Sequence, residues 1–242
     1  MENKNEAPYD FAGGEVLLIR KPYTWSSFDV INSIRLFIRH NFNLRKVKIG
    51  HAGTLDPLAT GLIILCTGKY TKRIEEFQAQ EKEYIGTLTL GATTPSFDME
   101  TEVDQTFSTA TITTEKIQEA AKKLTGTLQQ IPPIYSAIRV DGKRLYSHAR
   151  KGTGDEVEIH PREVTVYAFE ITAIHFPVVW FRVVCSKGTY IRALARDFGE
   201  ALECGAYMSS LQRTRIGNFH NEEALSLDEF REMSLKRKKT TP

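Results

Sequence analysis

Hydrophobic and polar positions fall into short periodic blocks. Val16-Leu17-Leu18-Ile19 is a continuous apolar run closed by Pro22, the pattern of a buried strand. Ser26 and Asp29 then stand three apart, ahead of Phe28, Ile31, Ile34 and Ile38 at helical spacing. A Ser oxygen there can accept an orphan N–H of a first turn, so a capped helix is predicted. Gly61-Leu62-Ile63-Ile64-Leu65-Cys66 is strand-sized, and Tyr84 to Leu90 alternates as a strand does. Thr113 or Thr114 opens a helix with Ile117, Ala120, Ala121 and Leu124 on one face, ended by Gly126. Strands are predicted over Val164 to Ile174 and Val178 to Cys185. Ile191, Leu194, Ala195, Phe198 and Leu202 mark another amphipathic helix. Leu225 to Met233 reads as a short last helix before the basic run Lys236-Arg237-Lys238-Lys239. Residues 1–13 are polar without periodicity and are expected to form a mobile tail.

The alternation of strands and helices is irregular, without the even rhythm of a doubly wound sheet. No repeat of 20–50 residues and no Gly/Ser- or Pro-rich linker interrupts it. The expected class is α+β: one mixed domain on a central, largely antiparallel sheet flanked by helices.

Composition narrows the field. Of 242 residues, 41% are hydrophobic, enough for a sizeable core. No apolar run is long enough to span a bilayer, so no membrane partner is expected. The start, Met1 to Glu6, is polar and acidic, unlike a targeting segment. Cys66, Cys185 and Cys204 form no C-x-x-C pair, which points to a reducing cytoplasm and no disulfide framework. Gly68-Lys69 fails as a phosphate loop, because Ile63 and Tyr70 stand where Gly and Ser or Thr are needed. A dinucleotide fingerprint and a G-x-S-x-G elbow are absent. The six His are scattered without zinc-ligand spacing. Neither cofactor nor metal is expected.

The segment Gly50-His51-Ala52-Gly53-Thr54-Leu55-Asp56-Pro57-Leu58-Ala59-Thr60-Gly61-Leu62 combines three Gly with an Asp-Pro pair ahead of an apolar run. From the residues alone two readings stand level. One is a tight turn in which Asp56 caps backbone N–H groups. The other is a rigid loop presenting a carboxylate, an imidazole and a hydroxyl beside a buried element.

This segment resembles the signature of the TruB-type pseudouridine synthases, the tRNA pseudouridine-55 synthase family, which reads about G-H-x-G-x-L-D-P-x-A-x-G. Thr54 stands where other pseudouridine synthase families carry Arg before Leu-Asp. Further blocks are similar to that family. They are Leu17 to Pro22 with Ser27-Phe28-Asp29-Val30, Lys82-x-Tyr84, and Gln130 to Ala137. Gly142 to Tyr146, Cys185 to Arg192, and Leu211-Gln212-Arg213-Thr214 also match. Two positions depart from the first motif: Arg20 replaces the usual Asp, and Thr24 replaces the usual Gly, which places local turn geometry in question.

The resemblance implies a pseudouridine synthase fold with a catalytic domain over 14–217 and an RNA-binding insertion over 130–156. Residues 218–242 are expected to form a short helix and basic tail, too short for a PUA domain. It implies Asp56 as the catalytic carboxylate, Tyr84 as the ring stacked on the target base, and Arg192 as the cation keeping Asp56 ionised. His51 would fill the gap left by an extruded base, and Leu211 would wall the pocket. Lys21, Gly53, Thr54, Lys187 and Tyr190 belong to the matched motifs. Tyr135, Lys143, Arg144 and Tyr146 fall in the insertion. The implied activity is isomerisation of uridine-55 in the tRNA T-loop, by a monomer whose partner is the tRNA T-arm. The alternatives are a non-catalytic tRNA-binding module of the same fold and an RNA-guided rRNA pseudouridine synthase.

With RNA as the implied partner, the net charge of +2 conceals a distribution. Residues 30–55 hold Arg35, Arg39, Arg45, Lys46 and Lys48 and no acid. Residues 130–151 hold Arg139, Lys143, Arg144, Arg150 and Lys151 against Asp141, interleaved with Tyr135, Tyr146 and His148. Both stretches are expected to contact RNA.

Overall fold

The computed structural model describes residues 7–136, 139–140, 143–144 and 159–239. Thirteen strands are named here in chain order: β1 Val16–Lys21, β2 Ile49–His51, β3 Ala59–Thr67, β4 Lys82–Leu90, β5 Ala92–Thr93, β6 Gln105–Thr106, β7 Gly126–Gln130, β8 Arg139–Val140, β9 Lys143–Arg144, β10 Arg162–His175, β11 Val178–Cys185, β12 Ala206–Ile216 and β13 Phe219–His220. The α-helices among the described residues are α1 Ser27–Phe42, α2 Ile74–Gln78, α3 Thr114–Lys123, α4 Ile191–Ala201 and α5 Leu227–Lys239. The chain groups into two units, Met1–Lys82 with Gln212–Pro242, and Glu83–Leu211. Both boundaries fall at or inside strands β4 and β12, where no linker composition marks them.

In the first unit, β3 is the central strand. It pairs antiparallel with β1, Val16 opposite Cys66 through Lys21 opposite Gly61, and with β2 on Ile49 to His51. Alternate β3 residues point to opposite faces. Ile63 and Leu65 join Leu17, Ile19, Ile34 and Phe230 in one cluster, while Leu62, Ile64 and Cys66 join Phe77 and Ile216 in another. Burial on both faces is why this segment reads as an unbroken apolar run. Residues 212–216 of β12 continue this unit and lead to β13, which pairs Phe219 with Ile216.

The capped helix forms as predicted. Ser26 Oγ accepts from Asp29 N–H at 3.1 Å, and Asp29 Oδ2 accepts from Ser26 N–H at 2.8 Å. Val30, Ile31, Ile34 and Ile38 are buried, each such side chain contributing about 1.5–3 kcal/mol. Phe28, expected on that face, is exposed, and Ser27 takes the inward place.

The ends differ from expectation. Phe11, read as part of a mobile tail, is buried against Phe42 and Phe230. The last helix runs on through the basic residues to Lys239. Cations suit a helix C-terminus. Arg237 lies over the Tyr9 ring at 4.5 Å, and Lys238 Nζ donates to the Asn41 carbonyl.

In the second unit the strands follow the order β12, β4, β11, β10, β7. β10 pairs antiparallel with both β11 and β7. Phe169 on β10 packs on Phe181 of β11 and Phe198 of α4, with ring centroids 5.8 and 5.6 Å apart. Thr113 caps α3.

Candidate active site

In the first unit, the loop between β2 and β3 carries Asp56, and three side chains fix its backbone. Ser27 Oγ donates to the Leu55 carbonyl at 3.0 Å and accepts from the Leu55 N–H at 2.9 Å. Lys21 Nζ donates to the carbonyl of Pro57 at 3.0 Å, and to those of Pro22 and Trp25. Arg213 is 1% exposed, and its guanidinium donates to the carbonyls of Leu62 at 2.8 Å, Gly53 at 3.1 Å and Thr54 at 3.4 Å. Gly61 has φ +99, and a Cβ there would stand 2.3 Å from the Arg213 carbonyl oxygen, so only Gly lets the strands close up. The Asp56 carbonyl accepts from Ala59 N–H at 3.0 Å, completing the turn. A half-buried carboxylate is thus carried on a loop whose flanks are held on both sides.

The electrostatics follow from this packing. Burial pushes the Lys21 ammonium down to about 8, opposed by the Asp56 carboxylate. Lys21 therefore lies within the field of Asp56. Burial, and next the Arg213 charge, hold His51 below its ordinary value, favouring neutral imidazole. His51 Nδ1 is buried without a hydrogen-bond partner among the described residues.

Both departures in the first motif have local answers. Thr24 adopts φ +69, the left-handed conformation that a Gly would take without strain. Arg20 turns to α5, pairing with Glu229 Oε2 at 2.5 Å.

In the second unit, α4 carries Arg192 in its first turn, where a cation is unfavourable. A partner is supplied from elsewhere. Arg192 Nε lies 3.6 Å from Asp98 Oδ2, with both side chains at or below 4% exposure. Its Nη1 donates to the Ser96 carbonyl at 3.1 Å, and its Nη2 to the Tyr135 carbonyl at 2.7 Å. Asp98 is set by its own loop, where Oδ1 accepts from Glu100 N–H at 2.9 Å and Thr94 Oγ1 donates to its carbonyl at 2.7 Å. Tyr190 is the N-cap of α4, and the amide of Gln130 bonds its main chain. Tyr84 on β4 and Leu211 on β12 are buried, while Lys187 is exposed.

Of the residues singled out by sequence, Lys21, His51, Gly53, Thr54 and Asp56 come together in the first unit. Arg192, Tyr190 and Tyr135 come together in the second. Lys143 and Arg144 form β9, paired with β8, and Tyr146 lies outside the described residues, as do His148, Arg150 and Lys151. Arg39, Arg45, Lys46 and Lys48 are exposed, and Arg35 donates to Asn32 Oδ1 at 2.6 Å. Sequence reasoning assigned no role to Ser27, Arg213, Asp98 or Gln130. The available signal was a charge at an inward strand position for Arg213, and the unbalanced cation at a helix start for Asp98. Among the described residues, no cluster of three His, Cys, Asp or Glu could hold a metal, and no helix is long and apolar enough to cross a membrane. Cys66, Cys185 and Cys204 are buried, and no disulfide joins them.

Residues 39–191 match the model of the TruB family pseudouridylate synthase N-terminal domain, and residues 192–241 that of the tRNA pseudouridylate synthase B C-terminal domain. A tRNA pseudouridine synthase B of Phocaeicola vulgatus is 54% identical, covering 92% of this chain and 94% of the relative. One of Flavobacterium johnsoniae is 52% identical over 93% of this chain and 98% of the relative. Among solved structures, a Cbf5-Nop10-Gar1 complex matches with TM-score 0.66 and 28% identity, over 94% of this chain and 60% of that one. An H/ACA RNP bound to a substrate RNA containing 2'-deoxyuridine matches with TM-score 0.64 and 27% identity, over 91% of this chain and 53% of that one.

Proposed function

The chain belongs to the TruB family of pseudouridylate synthases, and from that premise we propose that it isomerises uridine-55 in the T-loop of tRNA to pseudouridine. The N1–C1′ bond of the uridine breaks, the base turns, and C5 bonds to C1′, so product and substrate have the same atoms. The target must leave its stack first, at a cost of about a few kcal/mol that pocket contacts offset. The single observation that carries the reading is the Asp56 loop. Its flanking residues Leu55 and Pro57 are bonded to Ser27 and Lys21, an arrangement suited to a carboxylate acting at C1′ with little reorganisation.

In this reading Arg192 supplies a cation to the chemistry, and Tyr84 the ring on which the flipped base stacks. Arg39, Arg45, Lys46 and Lys48 meet phosphates, together with the basic insertion over 130–156. The enzyme works as a monomer in the cytoplasm, on the T-arm of free tRNA. Identity of 52–54% with relatives named for tRNA, against 27–28% with the H/ACA structures, favours this over RNA-guided action.

The test is incubation with an unmodified tRNA transcript, and separately with a bare T-arm, followed by mapping of pseudouridine. Modification at position 55 in both, without guide RNA, is expected. Modification elsewhere, or only with a guide RNA, would overturn the reading.

A further inference from the structure

α4 begins without the usual means of fixing a helix start. Tyr190 makes no side-chain cap, and no acid stands in the first turn. The anchor comes instead from β7. Gln130, its last residue, is 2% exposed, and its amide grips the Tyr190 main chain twice. Oε1 accepts from the Tyr190 N–H at 2.8 Å, and Nε2 donates to the Tyr190 carbonyl at 3.1 Å. That same carbonyl accepts the Leu194 N–H at 3.1 Å. The amide therefore sets the direction in which the helix departs.

Two residues later, the Arg192 fork returns to the segment that Gln130 opens. Its Nη2 bonds the Tyr135 carbonyl, and Arg196, one turn on, bonds the Ile131 carbonyl at 3.2 Å. Residues 130–135 are thus joined to the first two turns of α4 at three points. From the other side Arg192 rests on Asp98 and the Ser96 carbonyl. A fork that meets Asp98, Ser96 and Tyr135 from separate segments is sensitive to small shifts of its own Cα.

We propose that Gln130 is a positioning residue for Arg192, coupling the entry to the RNA-binding insertion to the placement of the guanidinium. The inference rests on the synthase reading above. Gln130→Met keeps the volume and removes both hydrogen bonds. Arg192→Lys keeps the charge and removes the fork.

The experiment measures single-turnover pseudouridine formation on unmodified tRNA, with tRNA affinity and thermal melting, for wild type, both single variants and the double variant. Gln130→Met is expected to slow the reaction by about 100-fold with tRNA affinity unchanged. On the Arg192→Lys background the same change is expected to add little, because the two act as a unit. A wild-type rate in Gln130→Met, a parallel loss of rate and affinity, or an equal loss on both backgrounds overturns the inference. Gln130→Glu, which keeps the acceptor for Tyr190 N–H, carries the same comparison if Gln130→Met does not fold. If wild type itself forms no pseudouridine, the functional reading fails and this inference with it. If wild type is active and Gln130 is indifferent, only this inference falls.

Discussion

Ser27 and Leu55 hold each other from both sides: one hydroxyl accepts the Leu55 N–H at 2.9 Å and donates to the Leu55 carbonyl at 3.0 Å. The first residue of α1 thereby fixes the residue before Asp56. The helix start and the Asp56 loop become one local device. Ser27→Ala leaves two buried main-chain groups unpaired, which is expected to cost about 1–3 kcal/mol. Urea unfolding measures that loss, and the rate of pseudouridine formation should fall further than melting alone explains. A variant as stable and active as wild type would show that the pair is dispensable.

Arg213 ties the same loop to β3, with the carbonyls of Gly53, Thr54 and Leu62 on one buried guanidinium. A Lys ammonium at that place cannot span all three. Arg213→Lys is expected to lose about 3 kcal/mol of stability, since hydrogen bonds to charged groups are the strong ones. Denaturant midpoints at constant slope are the measure, and a change below a few tenths of that loss would contradict it.

Thr24 holds a left-handed conformation at φ +69 with a β-branched side chain. Thr24→Gly relieves that strain, against the greater freedom of Gly in the unfolded chain. A net gain of about 1 kcal/mol is expected. A fall in melting temperature would mean that the Thr side chain contributes more than the strain costs.

Lys21 gives the alkaline limb of stability a defined sign. Its folded pKa is pushed down to about 8 from 10.5, chiefly by burial. Between those values the unfolded chain binds the proton and the folded chain releases it. The Lys21 contribution to stability therefore rises with pH through that window, and the burial cost of the ammonium is felt in full below about 8. Melting of wild type and Lys21→Met from neutral to alkaline pH checks this, with wild type gaining on the variant as pH rises. Asp56→Asn removes the opposing carboxylate and should open the window at lower pH. Parallel curves for wild type and Lys21→Met would rule the coupling out.

The elements legible in the sequence were those whose own pattern decides them. Val178 to Cys185 is β11 without a shift, and the Ser26–Asp29 box begins α1 where the spacing placed it. The strand over Ala206 to Ile216 was not predicted. Its alternation breaks at Ser209-Ser210, and one of its inward positions is Arg213, whose charge is met by the carbonyls of Leu62 on β3 and of Gly53 and Thr54 in a distant loop. Phe11 gave no periodic signal because its partners, Phe42 and Phe230, come from distant segments. The site divides likewise. Asp56, His51 and Arg192 sit in motifs that could be read directly. Asp98 and the Gln130 amide meet α4 from distant segments, and such pairings have no local signature in the sequence. The last turns of α5 were missed because polar, basic residues carry no apolar period.

The most direct measurement is pseudouridine mapping on tRNA treated with wild type and with Asp56→Asn, alongside tRNA binding and melting of both proteins. Wild type is expected to modify position 55 alone. Asp56→Asn is expected to form no detectable pseudouridine while it folds and binds tRNA as wild type does. Pseudouridine formed by Asp56→Asn at the wild-type rate would contradict a catalytic role for Asp56.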